Sequence, residues 1–472
     1  MTAAFGRFAA VGAVLVGCLA PFAGADGLDE EELEPNPALA RLKAIEIPNC
    51  EITRAKVAKD GIAEVDYVLR PTKDSFIQCA LALPKPGAWN GGFRGLGSAG
   101  AGGWVRMPSV HEGAATGCAT AYTDMGTSKG VRSIETVIDF GHRATHLMTT
   151  SAKALTEAYF GSPVKFSVFD GWSTGGGQGF HEAIRYPEDY DGILAGVPAN
   201  ARLPLHIYFA WNERQAKDAA GKDVFTPAEL EAVRKAAHDL AAPDLPEWAR
   251  GKLIPDSRWT AAGEKAVLAR AKELAPTLDD PDKIARLERI FRGPSIGGRQ
   301  IHAGVPFGAS LKDAYDNPWL LDWWLKLSRK GKPRSKVTDE DLLAWEREWG
   351  PHLDATSENL DRFFAHGGKL IVYGGLADSM VPYPSMIDWY ERAARHNPKA
   401  IAENCRFYLI PGRAHCPGGS ILGLWKDLDL ILNWVRKGER PERVMIQSSG
   451  LFPMYIVPYP TFPQIPRPVA GQ

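Results

Sequence analysis

One stretch, "VKFSVFDGWSTGGGQGFHEAIRYP" at residues 164–187, constrains the fold more than any other. Its first half is a run of apolar and β-branched residues that reads as a buried strand. Its second half has helical spacing and is closed by Pro187. Between the two stands Gly171-Trp172-Ser173-Thr174-Gly175. A chain that passes from strand to helix within so few residues needs a tight turn, which the glycines flanking Ser173 permit. Strand, turn and helix in this order build open, mostly parallel sheets with helices on their faces. The preceding and following residues keep the same rhythm. "EVDYVLRP", "SFIQCALALP" and "GCATAYTDMG" read as strands, "FGHRATHLMTTSAKALTEAYFG" as a helix stopped by Gly161, and "YDGILAGVP" as the next strand. The predicted class is α/β.

From about Ala201 to Ala365 the pattern changes. "TPAELEAVRKAAHDLA" and "DPDKIARLERIFRG" are helical, and "NPWLLDWWLKL" and "AWEREWGPHL" gather large aromatics. "GGKLIVYGGLADSMVP" then restores a buried strand, followed by helix "MIDWYERAARH", strand and loop "CRFYLIPGRAHCPGG", and helix "LDLILNWVRKG". The simplest organisation is an α/β core at 26–200 and 366–472, interrupted by a mainly helical insertion at 201–365 and preceded by a leader at 1–25. A chain of 472 residues accommodates one large core and such an insertion. Its net charge of −1 gives no electrostatic footprint for nucleic acid.

In the leader, Arg7 precedes an apolar run from Phe8 to Phe22, and Ala23-Gly24-Ala25 offers a small-x-small cleavage site. "LVGC" is a competing signal for lipid attachment at Cys18, and an uncleaved anchor is disfavoured because the run is short for a span. Each alternative places the body outside the cytosol, secreted or periplasmic or lipid-anchored. Past the leader five cysteines remain, Cys50, Cys79, Cys118, Cys405 and Cys416, so at least one thiol is unpaired within the chain. The strand "RFYLI" separates Cys405 from Cys416 by more than the about 7 Å that bridged Cα atoms tolerate. A bridge among the first three stays open. No cysteine or histidine spacing matches a zinc site.

Ser173 is the candidate nucleophile, because a strand-to-helix turn exposes its hydroxyl and aims the next N–H, that of Thr174, at a developing oxyanion. An acid and a base are expected later in the chain, in that order. Asp378 in "GGLADSMVP" and His415 in "PGRAHCPGG" each follow a buried strand, where open α/β sheets bind ligands. The glycine-rich "GLGSAGAGG" lacks the G-K-[ST] of a phosphate loop and is better suited to supplying a second oxyanion donor, with Ala99 and Gly100 the candidates. His142 and His146 lie one helical turn apart, but no convergent carboxylate is evident, so helix packing is the expectation. Asp124 is expected to cap a loop and His181 to pack locally. Trp319, Trp323 and Trp324 suit helix packing or stacking on a substrate ring.

The string "GWSTGGGQGFHEAIRYPEDYDGILAGVPA" resembles the tannase and feruloyl esterase family, whose elbow reads roughly G-C-S-T-G-G-R-Q-G. "AWNGGFRGLGSAG", "TDMGTS", "IDFGHRATH", "IFRGPSIGGRQIHAGVPFG", "HGGKLIVYGGLADSMVP" and "PGRAHCPGG" extend the likeness over most of the chain after the leader. The resemblance implies an α/β-hydrolase core with a lid inserted after "GVPA". It also implies hydrolysis of carboxylic esters, aromatic acyl esters foremost, with Ser173, Asp378 and His415 at the catalytic positions. An amidase, peptidase or aliphatic-ester hydrolase on the same core is the alternative, and a non-catalytic binding protein is disfavoured because no triad member is lost. Two departures stand out. The family's cysteine before the nucleophile typically bonds the cysteine after the histidine; here the first is Trp172, leaving Cys416 without that partner, so packing of the indole is expected to replace the constraint. Lids of the family often carry cysteines and an Asp/Gly-rich calcium loop; the matching stretch "HDLAAPDLPEWARGKLIPD" has no cysteine and no repeated D-G, so no cofactor is expected, with calcium in the lid the disfavoured alternative.

Overall fold

The computed structural model describes residues 37–241, 245, 249, 254, 256–316, 336–415, 427–446 and 454–463. Its strands, in chain order, are β1 (Cys50–Val57), β2 (Ala63–Leu69), β3 (Ile77–Leu83), β4 (Gly92–Leu96), β5 (Ala119–Thr123), β6 (Phe166–Trp172) and β7 (Gly192–Gly196). A two-residue hairpin of β8 (Ser295–Ile296) and β9 (Arg299–Gln300) follows, then β10 (Lys369–Gly375) and β11 (Cys405–Ile410). Nine of them form one sheet in the order β1-β2-β3-β5-β4-β6-β7-β10-β11. From β5 to β11 every neighbouring pair is parallel, and β1, β2 and β3 extend the sheet as an antiparallel edge. Strand β1 was not foreseen, because "CEITRAKV" has no fully buried residue and is an edge strand whose charges face solvent.

The parallel strands are apolar on both sides because both faces are covered. Phe169, Ile193, Leu370 and Phe407 point to one face, towards Phe180 and Trp389 of the helices Thr174–Arg185 and Pro384–His396. Their neighbours Val168, Leu194, Ile371 and Tyr408 point to the other face and meet Ile431 and Trp434 of the helix Asp427–Lys437. The helix Ala144–Phe160 ends where Gly161 takes a left-handed φ of 67°, the conformation glycine adopts without cost.

Between β7 and β10 the chain forms the helices Arg202–Ala216, Pro227–Ala241, Ala261–Leu274, Pro281–Arg292 and Asp339–Leu353. β7 and β10 still pair directly, from Gly192 opposite Lys369 to Gly196 opposite Tyr373. These intervening helices share the core of the sheet: Leu205, Tyr208 and Phe209 belong to the same buried cluster as Phe169 and Phe180. The "AWEREWGPHL" aromatics are packing residues, Trp345 and Trp349 stacking at 5.8 Å within a cluster that includes Phe140, Leu203 and Ile207. Trp319, Trp323 and Trp324 lie outside the described residues. Among the described residues no helix is long and apolar enough to cross a membrane.

Gly196 sits at the join, opposite both Trp172 and Tyr373, and a Cβ there would lie 2.1 Å from Tyr373 Cζ. Gly196→Ala is therefore expected to destabilise the fold by about 1–3 kcal/mol, the usual cost of overpacking, read from the midpoint of urea unfolding.

Candidate active site

Ser173 joins β6 to the helix Thr174–Arg185 with φ 58° and ψ −119°, backbone that only glycine visits freely and that costs a serine about 1–3 kcal/mol. The surroundings impose it. The Ser173 N–H donates to the Gly196 carbonyl at 2.8 Å, and the Ser173 carbonyl accepts from Gly177 at 3.1 Å and Ala199 at 2.9 Å. The glycines around the turn allow direct backbone packing. A Cβ on Gly97 would lie 2.6 Å from Gly175 Cα and 2.8 Å from Gly171 Cα. Side chains at Gly176 and Gly177 would strike the carbonyls of Gly196 at 2.5 Å and Ala199 at 2.8 Å.

The turn delivers Ser173 Oγ to 3.0 Å from His415 Nε2, and His415 Nδ1 lies 2.8 Å from Asp378 Oδ2. The three residues come from loops or turns after β6, β10 and β11, at the carboxyl end of three strands. Asp378 is fully buried, and its other oxygen accepts from the N–H groups of Met380 and Val381, both at 2.8 Å. That leaves one oxygen aimed at the imidazole. The loops carrying acid and base are tied to each other by Ala377 N–H donating to the Arg413 carbonyl at 2.9 Å. Intervening residues clamp the acid's loop: Tyr208 donates to the Ser379 carbonyl at 2.6 Å and Ser257 to that of Leu376 at 2.5 Å.

The glycine-rich loop after β4 approaches the Ser173 turn from the other side. Ser98 N–H donates to Gln178 Oε1 at 2.7 Å, and Ser98 Oγ donates to the Thr123 carbonyl at 2.6 Å. Thr174 is the first residue of its helix, where the N–H has no intrahelical acceptor. Its hydroxyl donates to the Gly100 carbonyl at 2.6 Å, so Thr174 and Gly100 are brought together. Ala99 is next in the loop, its carbonyl accepting from Gly102 at 3.1 Å.

Two residues that sequence reasoning missed hold this arrangement. Gln178 is buried and bridges Ser98 to Thr145, donating to Thr145 Oγ1 at 2.7 Å. Its position one helical turn after Thr174, in a helix otherwise rich in glycine, was the available signal. Arg202 is buried over the Phe140 ring and donates through Nη2 to Thr174 Oγ1 at 2.7 Å. Burial pulls its guanidinium down to about 10, still charged at neutral pH. Burial also pushes Asp354 nearby up to about 7.

The remaining candidates resolve individually. Asp124 is buried and caps its loop, accepting from Gln78 at 2.9 Å and Gly126 at 2.7 Å. His181 is buried between the Leu353 carbonyl at 3.2 Å and Arg185 at 3.1 Å. His142 bonds the Tyr186 hydroxyl at 2.7 Å, and burial pulls it down to about 3. The expectation that no carboxylate converges on this helix face is wrong for His146: Glu182 and Asp189, too far along the chain for spacing to reveal, both reach it. Cys50, Cys79, Cys118 and Cys405 are free thiols, so the bridge left open among the first three is absent. Trp172 is half-buried against the main core. Its supposed counterpart Cys416 lies outside the described residues, as do Cys18, the leader and most of the stretch compared with a calcium loop.

A strand-to-helix serine turn with a histidine and a buried aspartate from later strands is the arrangement of α/β-hydrolases, and the sheet order places the chain in that fold class. The family model described as "Tannase and feruloyl esterase" matches residues 63–340 and 334–451, so the chain belongs to the tannase and feruloyl esterase family of ester hydrolases. A probable feruloyl esterase B from Aspergillus clavatus is 26% identical over 84% of this chain and 80% of its own length. The mono(2-hydroxyethyl) terephthalate hydrolase of Piscinibacter sakaiensis is 24% identical over 91% of this chain and 84% of its own. Among solved structures, feruloyl esterase B from Aspergillus oryzae superposes with a TM-score of 0.76 at 20% identity, covering 90% of this chain and 96% of the other.

Truncating Gln178 strands the buried Ser98 N–H and Thr145 hydroxyl. Gln178→Ala is expected to cost about 1–3 kcal/mol in chemical denaturation. It should also raise hydrogen exchange at Ser98 above that of the β4 amides.

Proposed function

We propose that the chain hydrolyses carboxylic esters of aromatic acids through an acyl-enzyme on Ser173. The observation that carries this reading is the continuous relay from the strained Ser173 turn through His415 to Asp378. His415 Nε2 takes the Ser173 proton as Oγ attacks the ester carbonyl. Asp378 keeps the Nδ1–H tautomer in place and stabilises the imidazolium that forms. The carbonyl oxygen gains a full negative charge, and the N–H of Thr174 and one from Ala99 or Gly100 are its donors. Collapse of the tetrahedral intermediate breaks the bond to the alcohol, which leaves with the proton held on His415. Water then enters, gives a proton to the same nitrogen and releases the acid, restoring Ser173. No cofactor takes part in these steps.

Residues 201–365 act as a lid in this reading, supported by their clamps on the Asp378 loop from Tyr208 and Ser257. The aromatic preference is supported by the named activities of the feruloyl and terephthalate relatives. Export rests on the leader, with cleavage after Ala25 and lipidation at Cys18 as its two forms; N-terminal sequencing or mass measurement of the mature chain separates them.

The test is hydrolysis of methyl ferulate, methyl gallate and mono(2-hydroxyethyl) terephthalate by wild type and Ser173→Ala. Turnover of at least one ester is expected, reduced by about 10³-fold or more in the variant. Full activity in Ser173→Ala would overturn the mechanism. Turnover of short aliphatic esters alone, still dependent on Ser173, would discard the aromatic preference. Asp378→Asn is expected to lower kcat by about 10⁴-fold through the wrong imidazole tautomer, with KM little changed.

A further inference from the structure

Away from Ser173, on the same helix, lies a second cluster of chemically active side chains. Glu182 stands eight residues after Thr174, about 12 Å along the helix axis. It is completely buried, and neither carboxylate oxygen has a hydrogen-bond donor. Such a group is costly unless something positive meets it. Asp189, in the segment before β7, lies beside it, and burial together with this neighbouring carboxylate, by charge and by hydrogen bonding, holds the Glu182 carboxyl well above the usual carboxylate range when no cation is present. His146, on the helix Ala144–Phe160, completes the group: its Nδ1 is 2.6 Å from Asp189 Oδ2, and its ring stacks on Tyr186 at 3.8 Å. One donor atom from each of His146, Glu182 and Asp189 falls within a common span of 4.8 Å.

We propose that His146, Glu182 and Asp189 bind a first-row divalent cation, with Zn²⁺ or Mn²⁺ the fitting chemistry. One imidazole nitrogen and two carboxylate oxygens suit such ions, which hold N and O ligands at about 2.0–2.2 Å. Small rotations of the three side chains bring donors within 4.8 Å onto one ion of that radius. The surrounding charge agrees. Lys153 is the neighbouring cation, but its Nζ is committed to the Asp189 carbonyl and, at 3.2 Å, to Ser167 Oγ, not to either carboxylate. Asp191 also faces this group, bonded to Ser167 N–H at 2.7 Å. With all three carboxylates ionised, as ligation requires, the group would carry two negative charges beyond the Lys153 ammonium, which a divalent ion balances. The His146 and Asp189 side chains keep 29% and 12% of their surface exposed, giving an ion a path to the buried Glu182. The ion would tie three separate segments together: the Ala144–Phe160 helix, the nucleophile's helix and the turn before β7. Its role is structural, and it takes no part in ester cleavage.

The test uses tag-free full-length protein stripped with a chelator and then titrated with ZnCl₂ or MnCl₂ near pH 7.5, followed by calorimetry and thermal unfolding. One ion per chain is expected, with a midpoint rise of about 2 °C or more. Glu182→Gln and the partly exposed His146→Gln should each weaken binding by at least about tenfold. His146→Gln, lying at the mouth, keeps the test open if the buried variant fails to fold. Binding that is absent, or equal in both variants, would overturn the proposal. So would a metal-independent midpoint that falls with rising pH in the wild type but not in Glu182→Gln, because Glu182 and Asp189 would then be sharing a proton.

Discussion

The site depends first on a contact that has no side chains in it. Gly97 on the loop after β4 meets Gly171 and Gly175 on either side of Ser173, backbone against backbone, at separations no Cβ fits. This approach brings the loop after β4 directly against the turn that carries Ser173. It also accounts for the strained serine: Gly196, Gly177 and Ala199 bond its N–H and carbonyl in a conformation it would not choose. The strain is held by the sheet, because Gly196 is itself fixed between β6 and β10.

Around that contact the molecule builds two converging braces. Gln178 and Arg202 fasten the glycine-rich loop to the helix that follows Ser173, one through Ser98 and the other through Thr174 and Gly100. Tyr208 and Ser257 fasten the Asp378 loop from residues outside the sheet, and the Arg413 carbonyl ties that loop to the one bearing His415. The intervening helices therefore carry both the brace on Thr174 and the brace on the acid. Substitutions in Arg202, Tyr208 or Ser257 are felt at Thr174 and in the Asp378 loop through these bonds.

The parallel core was legible because its strands are apolar runs bounded by glycine and proline, and its helices end at residues such as Gly161 and Pro187. Ser173, Asp378 and His415 were legible because each sits at the end of such a run, in an order that one topology brings together. Strand β1 was not, since an edge strand alternates half-exposed polar residues and carries little apolar signal. Gln178 and Arg202 were hidden for a different reason: their partners are backbone and hydroxyl groups 28 to 80 residues away, which no local pattern announces. The Glu182–Asp189–His146 cluster was hidden in the same way, by a separation of 43 residues between His146 and Asp189.

The most direct test of the account is to trap the nucleophile. Purified protein would be treated with an aryl phosphonate ester, which a serine attacks as it attacks an acyl group but which is not then released by water. Peptide mass mapping would locate the adduct. The account predicts one phosphonyl group per chain, on the peptide containing Ser173, with ester hydrolysis lost in proportion to labelling. Labelling at another residue, or hydrolysis that survives complete modification of Ser173, would contradict it.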